Sequence, residues 1–428
     1  MDEQRARIHD DLRGLIEGEI LVQPIERLAY RGDAGRLEVD PQAVIHPRTE
    51  SDLVALVKYA QEERLPIHPR GAGAFAGGGA IGPGLVVDFS RHFRRILELH
   101  PNRVVVQAGV VLGRLNDQLA PLGRRIGPDP SDAESHTIGG LIGRNACGPR
   151  YPNYGAMANH VESLRVVFAS GDVETVARVP RVQVDTESGS FLNVLAQRLH
   201  RLAAWNAERY SRPPGPWSGG NPGYSLHEAF ASSSIDLARL ITGSEGTLAL
   251  ISEATLRTVP IPRAACALVL PFGRLVDAAS AIPRCLEERP SACELFDWRN
   301  LSLARDAEAA FRAWIPEVAE AALLVEFEGE TAAEVSARAR KVGDRLYRQK
   351  RLAAEPVDVP GRADAERLLD LRKVVSKVQL RRRGPTQPVE ILDDLRLPPE
   401  ALPPFLERLQ ALMQERALNW TLDAEGGI

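Results

Sequence analysis

The stretch HPRGAGAFAGGG, residues 68–79, holds five glycines in its last nine positions, and Phe75 is the only bulky side chain among those nine. Each glycine loses more conformational freedom on folding than any other residue, so this density is costly unless the bare backbone serves a purpose. LPIHPR before the loop and LVVDF after it have the composition of short strands. We infer that the loop presents its main chain to a ligand, with a flexible linker as the weaker alternative.

The same loop formally contains the dinucleotide fingerprint G-x-G-x-x-G/A over residues 71–76. That fingerprint needs a helix to begin in its second half, whereas residues 77–84 hold five glycines and one proline, which would break a helix. No lysine followed by serine or threonine closes the loop, as a P-loop requires. The remaining interpretation is an anion-binding nest, in which successive main-chain N–H groups wrap a diphosphate.

Two further segments are rich in glycine and small polar residues. GPDPSDAESHTIGGLIGRNACG spans residues 127–148, and TGSEGTLALISEATL spans residues 242–256. Their small side chains leave backbone donors uncovered, as those of residues 71–79 do. One such loop alone would be a weak indication. Three loops that converge are typical of a site for an extended ligand with a diphosphate in its middle.

Length, charge and cysteine content limit the class of protein. A chain of 428 residues predicts two or three domains. The net charge of −4 disfavours nucleic acid as a main partner, and the arginine run at residues 381–383 is typical of a solvated surface. The four cysteines form no C-x-x-C pair, so we expect reduced thiols and neither zinc nor an iron–sulfur cluster within this chain. The charged N-terminus and the lack of any run of eighteen apolar residues predict a cytoplasmic protein without a transmembrane segment.

The order of predicted elements divides the chain. A β-α-β unit comes first, and its helix is predicted over residues 51–65 with Ser51 as the N-cap. A strand pair, a helix and a hairpin that turns at residues 170–172 follow. Residues 211–223, with four prolines and four glycines, predict a loop. After residue 262 the order strand, helix, strand, strand, helix predicts a separate α+β domain.

Four motifs, in their order along the chain, resemble one known domain. They are PRGAGAFAGGG, GPDPSDAESHTIGGLIGRNACG, YGAMANHV and ITGSEGTLALISEATLRTVPIP. Together they resemble the FAD-binding PCMH-type domain of the vanillyl-alcohol oxidase and p-cresol methylhydroxylase superfamily. More narrowly, the chain is similar to the flavoprotein dehydrogenases of D-lactate, glycolate and D-2-hydroxyglutarate. The segment IGRNACGPRYPNYG resembles the long bacterial members in which a flavin half is fused to an iron–sulfur half.

The resemblance implies an α+β fold, with a two-part FAD-binding PCMH-type domain and a partial C-terminal domain of the FAD-linked oxidase type, built from an antiparallel sheet and helices. The implied domains are an N-terminal helical or extended segment at residues 1–42, the FAD-binding domain at residues 43–262 and the substrate domain at residues 263–428. The last eight residues, TLDAEGGI, fall where the resembled domain continues. We therefore expect this chain to be a truncated piece of a longer polypeptide.

The resemblance also implies an FAD site, position by position. The first loop would hold the diphosphate, the second segment would line the ribityl and isoalloxazine path, and the third would lie near the flavin. The implied FAD-binding residues are Pro69, Arg70, Gly71, Ala72, Gly73, Ala74, Phe75, Ala76, Gly77, Gly78, Pro128, Ser131, Thr137, Gly139, Gly140, Asn145, Gly148, Tyr154, Val161, Glu245 and Ile251. Members that attach flavin covalently often place a histidine where Ala74 and Phe75 stand here, which implies non-covalent FAD. Met157 stands where a small polar residue is common, and His160 is interpreted as a structural histidine.

Oxidation of a 2-hydroxy acid by flavin needs a cation for the carboxylate, a base for the hydroxyl proton and a hydride aimed at flavin N5. In the resembled enzymes a W-x-x-R segment and a histidine run that can bind a divalent metal supply the protein groups. Here LLDLRKVV puts Arg372 at the arginine position, with a solvated helix arginine as the alternative, and Asp393 and Asp394 match acidic positions. Asp423 stands where the first histidine is expected, so neither a catalytic base nor a metal site is assigned.

These observations predict an FAD-linked dehydrogenase or oxidase of a small D-2-hydroxy acid, which passes electrons to an iron–sulfur acceptor protein or fused domain. One alternative is a flavin-binding electron-transfer or assembly subunit without substrate chemistry, which the missing histidines favour. Another is an oxidase of the same superfamily that acts on sugars or alcohols, for which an arginine-lined pocket would be unexpected.

Overall fold

The computed structural model describes residues 3–180, 190–206, 223–230, 234–381, 395 and 397–425. Almost all of the predicted proline-rich loop, residues 211–222, lies outside these ranges, and so do the candidate residues Asp393 and Asp394. None of the described helices is both long and apolar enough to span a bilayer.

The first sheet has the strand order β1-β2-β4-β3. Its strands are β1 (Glu19–Leu21), β2 (Ala43–His46), β3 (Ile67–Arg70) and β4 (Leu85–Asp88). Strands β2, β4 and β3 run parallel, and the Glu50–Glu63 helix connects β2 to β3. Parallel strands need such a crossover, and the helix covers the apolar side chains of β2 and β4, which are fully buried.

The Glu50–Glu63 helix begins one residue earlier than its predicted cap. Thr49, rather than Ser51, is the N-cap: its hydroxyl accepts a hydrogen bond from the N–H of Asp52 at 3.2 Å. The Asp52 carboxylate in turn accepts from the N–H of Thr49 at 3.4 Å. The sequence prediction of Ser51 was wrong because this reciprocal capping box pairs Thr49 with the acidic residue three positions later.

The second sheet has the order β10-β9-β8-β11-β6-β5, and every neighbouring pair is antiparallel. β7 and β12 form a separate two-stranded ladder. The strands are β5 (Ile96–Leu99), β6 (Arg103–Gln107), β7 (Arg124–Arg125), β8 (Val161–Phe168), β9 (Val173–Pro180), β10 (Ser234–Asp236), β11 (Ala249–Arg257) and β12 (Val259–Pro260). The Leu112–Leu119 and Ile138–Arg144 helices bury their leucine and isoleucine side chains in the same core as this sheet.

The third sheet is antiparallel with the order β16-β13-β15-β14-β17. Its strands are β13 (Ala264–Phe272), β14 (Ala292–Asp297), β15 (Ala321–Gly329), β16 (Val357–Pro360) and β17 (Asp423–Glu425). Because side chains alternate along a strand, Leu268 and Leu270 of β13 pack into one hydrophobic core and Ala267 and Val269 into another. Helices therefore cover both faces of this sheet, which explains its nearly continuous apolar strands.

The described helices alternate with these strands. The α-helices are Glu3–Leu12, Pro24–Leu28, Glu50–Glu63, Leu112–Leu119, Ile138–Arg144, Tyr151–Tyr154, Phe191–Trp205, Leu226–Ala229, Leu237–Ile241, Leu275–Leu286, Trp298–Ala307, Ala309–Trp314, Ala332–Asp344, Arg362–Leu369, Leu371–Arg381 and Leu402–Glu415. The shorter 3₁₀ segments Ala120–Leu122 and Met157–Asn159 and the π-helical turn Arg345–Gln349 complete the set.

The predicted α+β fold, with a two-part first domain and an antiparallel second domain, is confirmed by these three sheets. The predicted boundary near residue 262 lies between β12 and β13, and the three predicted domain ranges stay predictions. The sequence interpretation missed the Trp298–Ala307 and Ala309–Trp314 helices between β14 and β15. Both are short, and each buries only a few side chains, so their apolar pattern is weak.

Candidate functional site

The first glycine loop joins the parallel strands β3 and β4 through residues 71–84 and contains no helix. Gly73 and Gly78 have φ angles of 64° and 78°, in the left-handed region that glycine adopts without strain. A Cβ atom added to Gly73 would lie 2.4 Å from the Arg70 guanidinium, so the loop folds closely over that side chain. The absence of a helix in this described stretch agrees with the rejection of the dinucleotide fingerprint.

The main chain of this loop carries donors that the fold itself does not use. Within the described part of the chain, the N–H groups of residues 72–77 donate no hydrogen bond to another residue. The N–H of Gly78 donates to Asp33 Oδ2 at 2.8 Å. Successive N–H groups without an acceptor, beside an arginine, are the donor set that an anion-binding nest uses. The residues present therefore fit an anionic diphosphate.

The structure brings the first loop against the other two glycine-bearing segments. Gly71 packs on Thr137 of the second segment, where an added Cβ would lie 2.0 Å from the threonine Oγ1. Gly246 of the third segment, with φ of 77°, packs on Pro69, where an added Cβ would lie 2.1 Å from the proline Cγ. Only glycine permits these approaches.

The second and third segments also contact each other directly. The N–H of Gly243 donates to the Ile142 carbonyl at 2.9 Å, and the N–H of Glu245 donates to the Gly143 carbonyl at 2.8 Å. Glu245 itself has a positive φ of 51°. The three segments thus surround one region of the molecule, as the sequence predicts. Their individual roles toward FAD stay predictions.

The Ile138–Arg144 helix holds several of the predicted residues. Thr137 is its N-cap and accepts a hydrogen bond from the N–H of Gly140 at 3.4 Å. Asn145 ends the helix in the left-handed conformation, and its Oδ1 accepts from the N–H of Ala158 at 2.9 Å. Asn145 is buried, and its hydrogen bond links this helix to the segment that leads into β8.

Gly148, Val161 and Ile251 were also predicted to bind FAD, and they differ in what they contact. Gly148 faces the loop that contains Pro128 and Ser131, and an added Cβ at Gly148 would lie 2.4 Å from the Asp129 carbonyl oxygen. Val161 begins β8 and Ile251 lies on β11, and both side chains are partly buried against the hydrophobic core of the second sheet.

Two residues next to this region have structural roles. Met157 is fully buried in the core, so its side chain does not replace the polar contact expected at its position. His160 is buried, and its Nε2 lies 2.8 Å from the Tyr154 carbonyl oxygen. Burial lowers the pKa of His160, which keeps the ring neutral near pH 7. Its interpretation as a structural histidine agrees with this geometry.

Residues 30–35 also hold the first loop in place, a contact that was not predicted from the sequence. Asp33 Oδ1 accepts from the N–H of Gly35 at 2.7 Å, an Asx turn, while its Oδ2 holds Gly78. The Arg70 guanidinium lies 5.2 Å from the ring centroid of Tyr30 and donates to the Gly32 carbonyl at 2.9 Å. The short motif Asp-x-Gly was the only signal in the sequence for this contact.

A buried ionic network joins the first and second domains. Arg150, in the segment between the second glycine region and β8, donates through Nε and Nη2 to the two carboxylate oxygens of Glu326 on β15, at 2.8 and 2.7 Å. Its Nη1 lies 2.5 Å from Asp129 Oδ2. Glu326 is completely buried and also accepts from the Ser291 hydroxyl at 2.7 Å. This fork-to-fork geometry is the strongest form of arginine–carboxylate pairing.

Glu328, two residues further along β15, extends the network. It accepts from Arg125 Nη2 and from the Tyr154 hydroxyl, both at 2.7 Å. Side chains two apart on a strand share a face, so Glu326 and Glu328 both point from the third sheet towards the first domain. The predicted FAD residue Tyr154 therefore lies at the domain contact.

The network shifts the proton affinities of its members. Burial raises the pKa of Asp129 to about 6, although the charge of Arg150 opposes the shift. Burial would also raise the pKa of Glu328, but Arg125 and Arg150 outweigh it and hold that pKa below its ordinary value. Burial raises the pKa of Tyr154 to about 12. At neutral pH Asp129 and Glu328 are therefore ionised beside the two guanidinium groups, and the Tyr154 phenol is neutral.

Arg372 lies on the Leu371–Arg381 helix and points to the third sheet. Its Nη2 donates to Glu294 Oε1 at 2.7 Å, and its Nη1 lies 2.5 Å from Asp423 Oδ2. Its guanidinium carbon is 5.7 Å from the centroid of the Phe296 ring. The solvated-arginine alternative does not describe this environment, because the side chain is only 26% exposed and is paired with two carboxylates. Its role toward a substrate stays a prediction.

The sequence reasoning did not find Arg150, Glu326 or Glu328. The available signal was AALLVEFEG, in which two carboxylates alternate within an otherwise apolar strand. A carboxylate in a buried strand requires a partner, but the sequence does not say where along the chain that partner lies. Among the described residues, no group of three or more histidine, cysteine, aspartate or glutamate side chains is placed to bind a metal ion.

Two family models match separate parts of the chain. Residues 41–177 match the model described as FAD binding domain, and residues 261–422 match the model described as FAD linked oxidases, C-terminal domain. Residues 41–177 thus belong to the FAD-binding domain family, and residues 261–422 belong to the C-terminal domain family of FAD-linked oxidases. The two matches confirm FAD as the cofactor, which was predicted from the glycine loops and the resemblance. Its non-covalent attachment stays a prediction.

Three curated relatives show which enzymes this chain resembles in sequence. The chain is 28% identical over 428 residues to D-2-hydroxyglutarate dehydrogenase of Escherichia coli, a match that covers 94% of this chain and 42% of that protein. It is 28% identical to D-lactate dehydrogenase of Archaeoglobus fulgidus, covering 91% of this chain and 75% of that protein. It is 29% identical to glycolate oxidase subunit GlcD of Bacillus subtilis, covering 71% of this chain and 55% of that protein.

The chain thus spans less than half the length of the D-2-hydroxyglutarate dehydrogenase that it matches. Among solved structures, alkyldihydroxyacetonephosphate synthase shares the fold, with a TM-score of 0.61 and 18% identity over 89% of this chain and 66% of that one. The predicted resemblance to hydroxy acid flavoprotein dehydrogenases is confirmed by these relatives.

Proposed function

We propose that this chain is the flavin-carrying part of an enzyme that oxidises a small D-2-hydroxy acid of the lactate, glycolate or 2-hydroxyglutarate type. The observation that carries the proposal is the contact of three glycine-bearing segments around one region, together with an arginine-centred cluster in the second domain. The relatives named above act on hydroxy acids, as their names say. Bound FAD would accept a hydride at N5 from the carbon that bears the hydroxyl group.

The first glycine loop and Arg70 would hold the FAD diphosphate. Free N–H groups at residues 72–77 supply donors, and Arg70, which is 8% exposed, supplies a positive charge that Tyr30 and the Gly32 carbonyl hold in place. Such a preformed cradle costs little reorganisation when the anion binds. The residues of the second and third segments would enclose the remainder of the cofactor.

Arg372 would bind the substrate carboxylate. Its helix and the third sheet place the guanidinium beside Phe296, in a partly dry setting where an ionic hydrogen bond is stronger than in water. No catalytic base is assigned. Electrons would then pass to an iron–sulfur protein or domain, a proposal that rests on the resemblance to the long fused members. The cytoplasmic location remains a prediction from the sequence.

Anaerobic titration tests the proposed activity. The purified holoprotein should lose its flavin absorbance near 450 nm when D-lactate, glycolate or D-2-hydroxyglutarate is added without oxygen. Arg372→Ala should retain FAD and require a much higher acid concentration, because loss of a carboxylate clamp costs roughly 2–5 kcal/mol. Arg263→Ala is a matched control, since that arginine directly precedes β13, is 83% exposed and is paired with Glu330 rather than with the Arg372 cluster. Failure of every hydroxy acid to bleach the wild-type flavin would refute the proposal.

A second function, a flavin-binding electron-transfer or assembly subunit, is favoured by one observation. The Arg372 guanidinium is already paired with Glu294 and Asp423, and both carboxylates would compete with a substrate carboxylate for it. In that case chemical or photochemical reduction of the flavin would still reduce an iron–sulfur acceptor, while hydroxy acids would have no effect.

A further inference from the structure

Residues 30–35, which we call the strap, contact the first glycine loop along most of its length. The strap lies between the Pro24–Leu28 helix and β2, and it precedes residue 41, where the match to the FAD-binding domain begins. Its contacts are with residues 70, 73, 76 and 78. The conformation of the loop therefore depends on a segment outside the matched range.

One contact of the strap fixes the direction of a peptide group in the middle of the loop. The Gly73 carbonyl accepts a hydrogen bond from the N–H of Ala34 at 2.9 Å. In a trans peptide, a C=O group and the N–H group that follows it point in opposite directions. The strap therefore turns the N–H of Ala74 away from itself. This N–H is one of the donors that the described residues leave without an acceptor.

A second contact does the same at the far end of the loop. The Ala76 carbonyl packs on Gly35, where an added Cβ would lie 2.3 Å from the carbonyl oxygen. The N–H of Gly77, in the same peptide group, therefore also points away from the strap. Asp33 holds both ends of this contact, because its two carboxylate oxygens accept from the N–H groups of Gly35 and Gly78. The strap thus binds the loop through carbonyl groups and leaves donors for a ligand.

The strap also fixes the cation beside the loop. The Tyr30 ring centroid lies 5.2 Å from the Arg70 guanidinium carbon, and the Gly32 carbonyl accepts from the same guanidinium at 2.9 Å. The Tyr30 hydroxyl donates to Asp88 Oδ2 at 2.9 Å. Burial and the charge of Asp88 raise the pKa of Tyr30 well above its ordinary value, so the phenol stays neutral. The ring is therefore held at its hydroxyl while its face contacts the cation.

We propose that the strap is part of the cofactor site, where it directs the main-chain donors of the first loop and the Arg70 guanidinium towards the FAD diphosphate, and that Tyr30 and Gly35 are its positioning residues. This inference rests on the diphosphate-binding role of the first loop in the proposed function. Donors that are already oriented in the apoprotein need little reorganisation when the anion binds.

Fluorescence titration of the apoprotein with FAD tests the role of Tyr30. Tyr30→Leu should raise the Kd about tenfold, because Arg70 loses the ring that holds it, whereas Tyr30→Phe keeps the ring and should stay within about threefold of the wild type. Tyr59→Leu is the matched control. This buried tyrosine also donates its hydroxyl to an aspartate, Asp11 at 3.1 Å, but lies on the Glu50–Glu63 helix, so its loss should not change the Kd.

Gly35→Ala tests the main-chain contact separately. The apoprotein can relieve the clash with the Ala76 carbonyl by moving the strap away, whereas FAD binding needs the loop donors in place, so the Kd should rise about tenfold. Phosphorus NMR of the bound cofactor gives a second measurement, since its two phosphorus atoms report on the diphosphate alone. Both signals should shift in Gly35→Ala and in Tyr30→Leu, and neither should shift in Tyr59→Leu.

Wild-type FAD affinity in Tyr30→Leu or in Gly35→Ala would overturn the proposal, and if one of these variants does not fold, the other decides. Equal losses in Tyr59→Leu and Tyr30→Leu, or weaker binding with unmoved phosphorus signals, would also overturn it, because the changes would then reflect stability rather than the diphosphate. No hydroxy acid enters these measurements. A flavin that no hydroxy acid bleaches would therefore refute the proposed activity and leave this inference standing.

Discussion

Replacing Gly71 by alanine is expected to weaken FAD binding about thirtyfold, because the first and second glycine segments meet at this residue. The new methyl carbon would lie 2.0 Å from Thr137 Oγ1 and 3.2 Å from its Cβ. No real pair of such atoms stays so close, so either Thr137 turns or the two segments separate. Both movements disturb the region where the diphosphate is predicted to bind.

The magnitude follows from the two contacts that change. If Thr137 turns, the Ile138–Arg144 helix loses its N-cap, whose hydroxyl accepts from the N–H of Gly140; such a loss costs about 1 kcal/mol. Crowding a methyl group into a packed contact costs about 1–3 kcal/mol. Because the apoprotein can relieve the clash by separating the segments and FAD binding must bring them together again, a cost near 2 kcal/mol, the lower end of this range, would appear as roughly a thirtyfold increase in Kd.

Fluorescence titration of the apoprotein with FAD measures this effect. Gly273→Ala is the matched control, since Gly273 is exposed, has no atom within 4 Å of an added Cβ and lies in the second domain. In a Thr137→Ala background the same substitution at Gly71 should cost much less, because the clashing hydroxyl is gone. A folded Gly71→Ala protein with wild-type FAD affinity, or an equal loss in both backgrounds, would refute the reasoning.

Three further outcomes follow from the geometry. FAD should leave the protein on acid precipitation, as non-covalent binding requires; flavin retained in the pellet would contradict the interpretation of Ala74. Glu326→Gln should lower the free energy of unfolding by roughly 3 kcal/mol in urea denaturation, because it breaks a fully buried pair with Arg150, whereas Glu330→Gln, in an exposed pair, should change it by less than about 1 kcal/mol. Because burial raises the pKa of Asp129 to about 6, the folded state binds this proton more tightly than the unfolded state, so the contribution of Asp129 to stability falls as pH rises from 4 to 6. Over that pH range the free energy of unfolding of the wild type should therefore fall by up to about 3 kcal/mol relative to that of Asp129→Asn. A difference between the two proteins that does not change with pH would exclude the raised pKa.

The parts of the fold that sequence could predict depend on local rules. Strands β2, β3 and β4 and the Glu50–Glu63 helix follow from apolar spacing and from glycines that forbid a helix after β3. The convergence of the three glycine segments was predicted from their shared composition, and close contacts such as Gly71 with Thr137 agree with it. Predicting these features requires only residues that are close together in the sequence or segments that share a composition.

The parts that sequence could not predict depend on distant partners. Arg150 and Glu326 are 176 positions apart, and nothing in either local pattern names the other. Arg372 was found at its position, but its pairing with Glu294 depends on where one helix crosses the third sheet. The Thr49 cap was missed by two positions, because Thr49 and Ser51 can both cap a helix and the local sequence does not decide between them.

The bridge made by Arg150 has a consequence for building hybrid proteins. Its guanidinium forms ion pairs with Asp129 in the first domain and with Glu326 in the second. The contact surface of each domain therefore carries a net charge when the other domain is removed. A chimera that joined residues up to 262 to the second domain of a relative without acids at the positions of Glu326 and Glu328 would bury an arginine against apolar strands. Recombination within this family is therefore expected to succeed only where the crossover preserves that set of charges.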